Sequence, residues 1–142
     1  MAIIEVTGVS KTYHDAASDR VIRTLDKISL AAEENDFLIL LGPSGCGKST
    51  LLNIIAGLVP HDPDGGRVLV AGKPVTGPNP KLMAYVFQDP VLYPWRTVLK
   101  NVEFGLEAQD VEKAQRRERA LKYLRLVGLE EFVDAYPRQL SG

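Results

Sequence analysis

The stretch Gly42-Pro43-Ser44-Gly45-Cys46-Gly47-Lys48-Ser49-Thr50 constrains this chain more than any other. From Gly42 to Ser49 it fits G-x-x-x-x-G-K-[ST] without a mismatch, the spelling of a phosphate-binding P-loop. Its three glycines let the backbone curl until successive N–H groups share one concavity. Those donors, with the positive end of a following helix, suit phosphate oxygens. Lys48 adds a full positive charge, and the Ser49 hydroxyl suits Mg²⁺, a hard cation that prefers oxygen. Gly42, Gly45 and Gly47 are expected to act through the backbone, Lys48 and Ser49 through their side chains, and Thr50 as a hydroxyl near an α-phosphate.

The flanks supply the context. Phe37-Leu38-Ile39-Leu40-Leu41 runs directly into Gly42 and reads as a parallel strand buried on both faces. Ser49 to Ala56 is apolar on several adjacent positions and stops at Gly57, which reads as a helix with a glycine just past its end. Strand, glycine loop, helix is the order the motif requires.

Three further stretches fall in register with one family. Gln139-Leu140-Ser141-Gly142 resembles the start of the LSGG signature of ABC-type ATPases, and Tyr85-Val86-Phe87-Gln88 resembles their Q-loop. Tyr13, in Val9-Ser10-Lys11-Thr12-Tyr13, resembles the aromatic that stacks on adenine. The resemblance covers essentially the whole chain. Within the family, Leu92-Tyr93-Pro94-Trp95-Arg96-Thr97-Val98, Asn101 to Leu106 and Gly77-Pro78 look most like the ATPases of nitrate, sulfonate and taurine importers.

The resemblance implies an α/β fold: a P-loop NTPase core of the ABC ATPase type, with an antiparallel β subdomain and a partial helical subdomain. It implies ATP and Mg²⁺ as ligands, held by Tyr13, the loop from Gly42 through Pro43, Ser44, Gly45, Cys46, Gly47, Lys48 and Ser49 to Thr50, and by Ser141 and Gly142. Gln88 would reach Mg²⁺ or the attacking water, which makes it the catalytic candidate and, with Ser49, a metal contact. Ser141 and Gly142 would complete the site of a second ATPase subunit in a head-to-tail dimer. The implied partners are membrane-spanning permease subunits, touched near Leu92, Tyr93, Pro94 and Trp95, and indirectly a solute-binding protein. The implied location is the cytoplasmic face of the cell membrane, and the implied function is to energise import of a small anion.

Departures from the family pattern shape the expectation. The chain stops at Gly142, inside the signature, so it reads as a truncated, N-terminal part of one ATPase domain. No run of four apolar residues followed by two carboxylates is present, so the polypeptide by itself is expected to hold nucleotide without hydrolysing it. That binding-only reading stands beside the importer reading, as does a soluble ABC ATPase unlinked to transport. Glu33-Glu34-Asn35-Asp36 replaces a glycine-containing turn, with Asn35 expected at positive φ. Tyr93 stands where the subgroup carries Leu, an exchange expected to be neutral.

Composition sets wide bounds: 142 residues, 45% hydrophobic and 25% charged, suit one ordinary domain. A net charge of −1 gives no reason to expect a nucleic-acid partner. No run of 18 apolar residues would span a membrane, and Met1 to Val6 lacks the regions of a secretory signal. Cys46, the one cysteine, is either a small filler of the loop or, beside a helix N-terminus, a reactive thiol.

Three regions follow: 1 to about 36, alternating, as an antiparallel sheet; about 37–90, the nucleotide core, with a second buried strand at Met83 to Phe87; and about 91–142, helical. Between the first two buried strands, turns at Asp64-Gly65-Gly66 and Ala71-Gly72-Lys73 bracket a strand at 67–70. The clearest helix is expected at 111–127, capped by Asp110 and Gly128, with Ala114, Leu121, Leu124 and Val127 on one face. Its basic opposite face reads as solvated, with Glu112–Arg116 and Glu118–Lys122 as i,i+4 pairs, or as a nucleic-acid surface. Tyr13 either packs the small sheet or stacks on a base, and Leu92 to Trp95 either pack the helical core or form a groove for a permease helix. His14 and His61 read as exposed bystanders.

Overall fold

The computed structural model describes residues 2–15, 19–89 and 91–140. They form two compact units, Met1–Val86 and Phe87–Gly142.

The first unit is an antiparallel sheet covered by one helix. Strands β1 (Ala2–Asp15), β2 (Arg20–Glu33), β3 (Arg67–Val70) and β4 (Lys73–Pro74) lie in the order β2-β1-β3-β4. The alternation at 1–36 thus becomes the long β1–β2 pairing, and the strand expected at 67–70 appears with those bounds. Ala71 and Gly72 both take positive φ, as a tight hairpin between β3 and β4 requires. Asn35 also has a positive φ, 68°, and Asp36 closes that turn by accepting from the Glu33 N–H at 2.7 Å.

Helix α1 (Lys48–Ile55) buries Leu51, Ile54 and Ile55 against Val6, Val9, Leu25, Val68 and Val70 of the sheet. Each such side chain stabilises the unit by roughly 1.5–3 kcal/mol when fully buried. Gly57 lies just past the helix end, as expected, and its N–H returns to Ile54 O at 3.0 Å.

Two expectations fail here. Neither Phe37–Leu41 nor Met83–Phe87 forms a strand. Phe37 and Leu41 are each 89% exposed and Val86 is 93% exposed; Leu40 and Met83 alone of these runs pack on the α1 core. The physical reason is that a strand is a pairing, not a property of its residues. A parallel strand needs a ladder neighbour and a covered face. Among the described residues the sheet offers neither to these runs. Instead Tyr85 is moored to the helix, its hydroxyl donating to Asn53 Oδ1 at 2.8 Å.

The second unit is helical. Helices α2 (Val98–Glu107) and α3 (Lys113–Leu126) bury Val98, Leu99, Ala120 and Leu124, with Leu121, Leu129, Val133, Ala135 and Leu140 packed around them. Thr97 caps α2, its hydroxyl accepting from the Lys100 N–H at 3.3 Å. The cap of α3 is not Asp110, which has φ 56°, but Glu112. The Glu112 carboxylate accepts from the N–H groups of Ala114 and Gln115 at 2.8 and 3.2 Å, and these bonds hold its pKa below the usual range. It serves the helix end first, and the charge of Arg116, the partner expected from spacing, adds a smaller lowering. The far end does match: Gly128 closes it, with Gly128 N–H on Arg125 O and Leu129 N–H on Leu124 O. Of the apolar face expected for α3, Leu124 is buried and Leu121 half-buried, whereas Ala114 and Val127 are exposed and Ala120 fills the contact.

Candidate nucleotide site

The loop is built around Lys48. Its ammonium donates to Gly42 O at 2.8 Å and Pro43 O at 2.7 Å, with Cys46 Sγ at 3.5 Å, so one side chain ties the end of the loop to its beginning. Gly45 and Gly47 take φ of 80° and 97°. Gly47 has no alternative. A Cβ there would lie 2.8 Å from both Thr24 O and Leu25 Cδ2, inside contact distance, in a conformation that L residues avoid. The close approach also fixes where the loop sits, against β2 at Thr24–Leu25.

The loop is rich in donors that the protein does not use. Gly47, the N-cap of α1, gives no side-chain acceptor, and the first turn of α1 carries no acid. Among the described residues the backbone N–H groups of Gly45, Gly47, Lys48 and Ser49 find no protein acceptor, and that of Cys46 reaches Pro43 O at 3.4 Å. Unused amides, a helix N-terminus and a lysine together favour an anion. Ser49 and Cys46 are exposed and Thr50 half-buried. The donor set therefore fits a polyphosphate, and Ser49 offers one hard oxygen for a cation bound with it. Among the described residues no group of three or more His, Cys, Asp or Glu could hold a metal ion.

Tyr13 lies close along the same sheet. Lys11 pairs with Leu25, the residue Gly47 abuts, and Tyr13 is two positions further on the same face of β1. Lys11 Nζ sits 5.2 Å from the centre of the Tyr13 ring. The ring is 40% exposed, so it is not a core residue of the small sheet. Breaks in the β1–β2 register on either side of Lys11 bend the strand just before Tyr13.

The remaining sequence candidates lie in the second unit. Gln88 is exposed. Ser141 and Gly142 lie outside the described residues. Leu92, Tyr93, Pro94 and Trp95 have separate fates. Leu92 lines an apolar hollow of about 330 Å³ with Val98, Val102, Tyr123, Leu124 and Val127. Pro94 is exposed and Trp95 is 71% exposed. Tyr93 is half-buried and central: its ring meets Trp95 at 5.4 Å and Phe104 edge-on at 4.8 Å, beneath the Arg96 guanidinium.

Comparison with known proteins decides the family. A family model described as ABC transporter matches residues 25–142. The chain belongs to the ABC transporter family. It is 55% identical over 121 residues to an uncharacterized ABC transporter ATP-binding protein of Methanocaldococcus jannaschii, covering 85% of this chain and 44% of that protein. It is 42% identical over 142 residues to the taurine import ATP-binding protein TauB of Pseudomonas aeruginosa, covering 100% of this chain and 52% of the relative. It is 44% identical over 142 residues to the spermidine/putrescine import ATP-binding protein PotA of Lawsonia intracellularis, covering 99% and 36%. This ABC chain thus spans about half the length, or less, of the curated relatives it matches. Among solved structures, a dimeric ATP-binding cassette in a post-hydrolysis state with ADP and Pi superposes with TM-score 0.82 at 33% identity, over 97% of this chain and 63% of that one. The α/β cassette fold is therefore shown, with its antiparallel sheet and helical part.

Sequence reasoning missed several residues of this ABC chain that act on others. Asn101 accepts from the Tyr93 N–H at 2.8 Å and donates to the carbonyls of Tyr93, Arg96 and Thr97, fastening the turn that carries Trp95. Arg96 pairs with Glu107 at 2.6 Å, which holds the Glu107 pKa below its usual range. The Tyr93 ring lies between Trp95 and Phe104, with the Arg96 guanidinium 5.5 Å from its centre. His61, expected as an exposed bystander, is half-buried with Nδ1 2.7 Å from Asp62 O. The contacts of Asn101 and Arg96 had no local signal, because each acts across a turn.

Proposed function

We propose that this chain carries the ATP-binding site of a subunit that energises import of a small anion such as nitrate, a sulfonate or taurine. One observation carries the reading: a Lys48-centred loop with unused N–H groups and no acid, at the head of α1. Lys48 and the loop amides would hold the phosphates, Tyr13 the base, and Ser49 a bound Mg²⁺, while Gln88 keeps only the role that the family resemblance implies for it. That ion would draw charge from the phosphates during transfer to water. Ser141 and Gly142 would complete the site of a second, head-to-tail subunit. Similarity to importer ATPases for taurine supports the transport reading, and similarity to one for polyamines leaves the solute class resting on the Leu92–Val98 and Asn101–Leu106 stretches. The subunit would sit peripherally, on the cytoplasmic face of the membrane, a location that rests on the likeness to importer ATP-binding proteins.

Nucleotide titration tests the site through Tyr13. Tyr13→Ala should weaken ATP and GTP alike, by roughly 1–3 kcal/mol, because every base has a π-face. Tyr13→Phe should be nearly silent. A large loss in the Phe variant would assign the hydroxyl a role and end the stacking account.

The permease contact has its own probe. Trp95 is the only tryptophan and is 71% exposed. Assembly with membrane subunits should shift its emission to the blue and shield it from an aqueous quencher. Emission and quenching unchanged on assembly would remove the Leu92–Trp95 segment from the interface.

A further inference from the structure

Beyond Thr7, strand β1 loses its neighbour on one side. It pairs with β3 over Ile4 to Thr7 only, yet it continues to Asp15. The backbone groups on that edge would be left to water if nothing took the strand's place. The turn at 62–65 does so. Ser10 N–H donates to Gly65 O at 3.0 Å, and Asp62 N–H donates to Ser10 O at 3.0 Å. One step further, Thr12 N–H donates to Asp62 Oδ1 at 3.1 Å. The turn is closed on itself by Gly65 N–H on Asp62 O at 2.8 Å. Only glycine fits at 65, since a Cβ there would lie 2.8 Å from Ser10 O.

The side chain of Asp62 is therefore the last fixed point on this edge before Tyr13. Hydrogen bonds from the Thr12 backbone and side chain, more than the nearby charges of Lys11 and Arg23, hold its carboxyl below the usual range. On the other edge the β1–β2 register slips between Lys11 and Thr12 before it resumes with Thr12 on Arg23 and Tyr13 on Ile22, so Asp62 holds the strand from the opposite side at the step where that ladder is broken. A side chain meant to present its ring at one place needs the backbone ahead of it pinned on both edges.

We infer that Asp62 is a positioning residue for nucleotide binding: by holding the Thr12 N–H it sets the platform that Tyr13 offers to the base. The inference rests on the reading of Tyr13 given above. It differs from that reading in its consequences, because the hydrogen-bond partners of Asp62 lie on β1 and in its own turn. Its effect must pass through the base and not through the phosphates.

Two ligands separate these routes: ATP, and inorganic tripolyphosphate, which has phosphates and no base. Asp62→Ala loses the hydrogen bonds from Thr12 at the platform and should weaken ATP about threefold to tenfold. Tripolyphosphate affinity should not change, which also shows that the variant is folded. Asp62→Asn keeps an acceptor oxygen and should restore ATP affinity. In Tyr13→Ala the further change Asp62→Ala should add nothing. Equal losses for ATP and tripolyphosphate would make Asp62 a general support of the fold and overturn the inference. So would full ATP affinity in Asp62→Ala where Tyr13→Ala is impaired, and there the reading of Tyr13 would survive. If Tyr13→Ala itself binds ATP normally, that reading falls and the inference with it.

Discussion

Lys48→Ala should weaken ATP binding at least tenfold, about 1.4 kcal/mol. The change removes two things at once. It takes away the cation closest to the loop, and it leaves Gly42 O and Pro43 O without the donor that now bridges them at 2.8 and 2.7 Å. The first loss lowers attraction for phosphate; the second lets the loop open, so its amides no longer converge. Lys48→Arg separates the two. The guanidinium keeps the charge, but its planar fork cannot reproduce a compact ammonium set between two carbonyls. Arginine should therefore recover only part of the affinity. Calorimetric titration with ATP reads both variants. Wild-type affinity in Lys48→Ala would retire the P-loop as the phosphate site.

How much of this could be read from the sequence depends on how local each cause is. The loop, α1, the stop at Gly57, the positive φ of Asn35, the 67–70 strand and the close of α3 at Gly128 all follow from a few neighbouring residues, and the structure has each of them. The run Phe37–Leu41 has strand composition, but composition cannot supply a ladder partner, and the expected strand is absent. Asp110 is a better cap by residue type than Glu112, yet the backbone turns at Asp110 with φ 56° and only Glu112 stands where the free N–H groups are. Lys48 was legible because the motif that contains it is written in spacing. The hydrogen bonds of Asp62 and Asn101 and the ring contacts of Tyr93 were not, since their partners lie across turns that the sequence does not register.

The exposed apolar runs carry the last expected result. A sample of the 142-residue polypeptide by itself should be poorly soluble and show no ATP turnover above background. Phe37 and Leu41 are each 89% exposed, Ile39 60% and Val86 93%, all on segments whose backbone has no ladder partner among the described residues. Unpaired backbone with apolar side chains is what drives edge-to-edge association. Leaving several such side chains in water forgoes roughly 1.5–3 kcal/mol each, against a typical domain stability of about 5–15 kcal/mol. Turnover should fail for a separate reason. The sequence contains no run of four apolar residues followed by two carboxylates to hold the metal and orient water. Substitution distinguishes the two causes. Phe37→Lys with Leu41→Lys should raise solubility, because like charges on the open face oppose association, while ATP turnover stays at background. Sedimentation and a phosphate-release assay on the same samples read both. A monodisperse, cooperatively melting wild-type sample would show that the exposed runs find cover within the chain. Turnover in that sample would show that carboxylates elsewhere among these residues can do the chemistry.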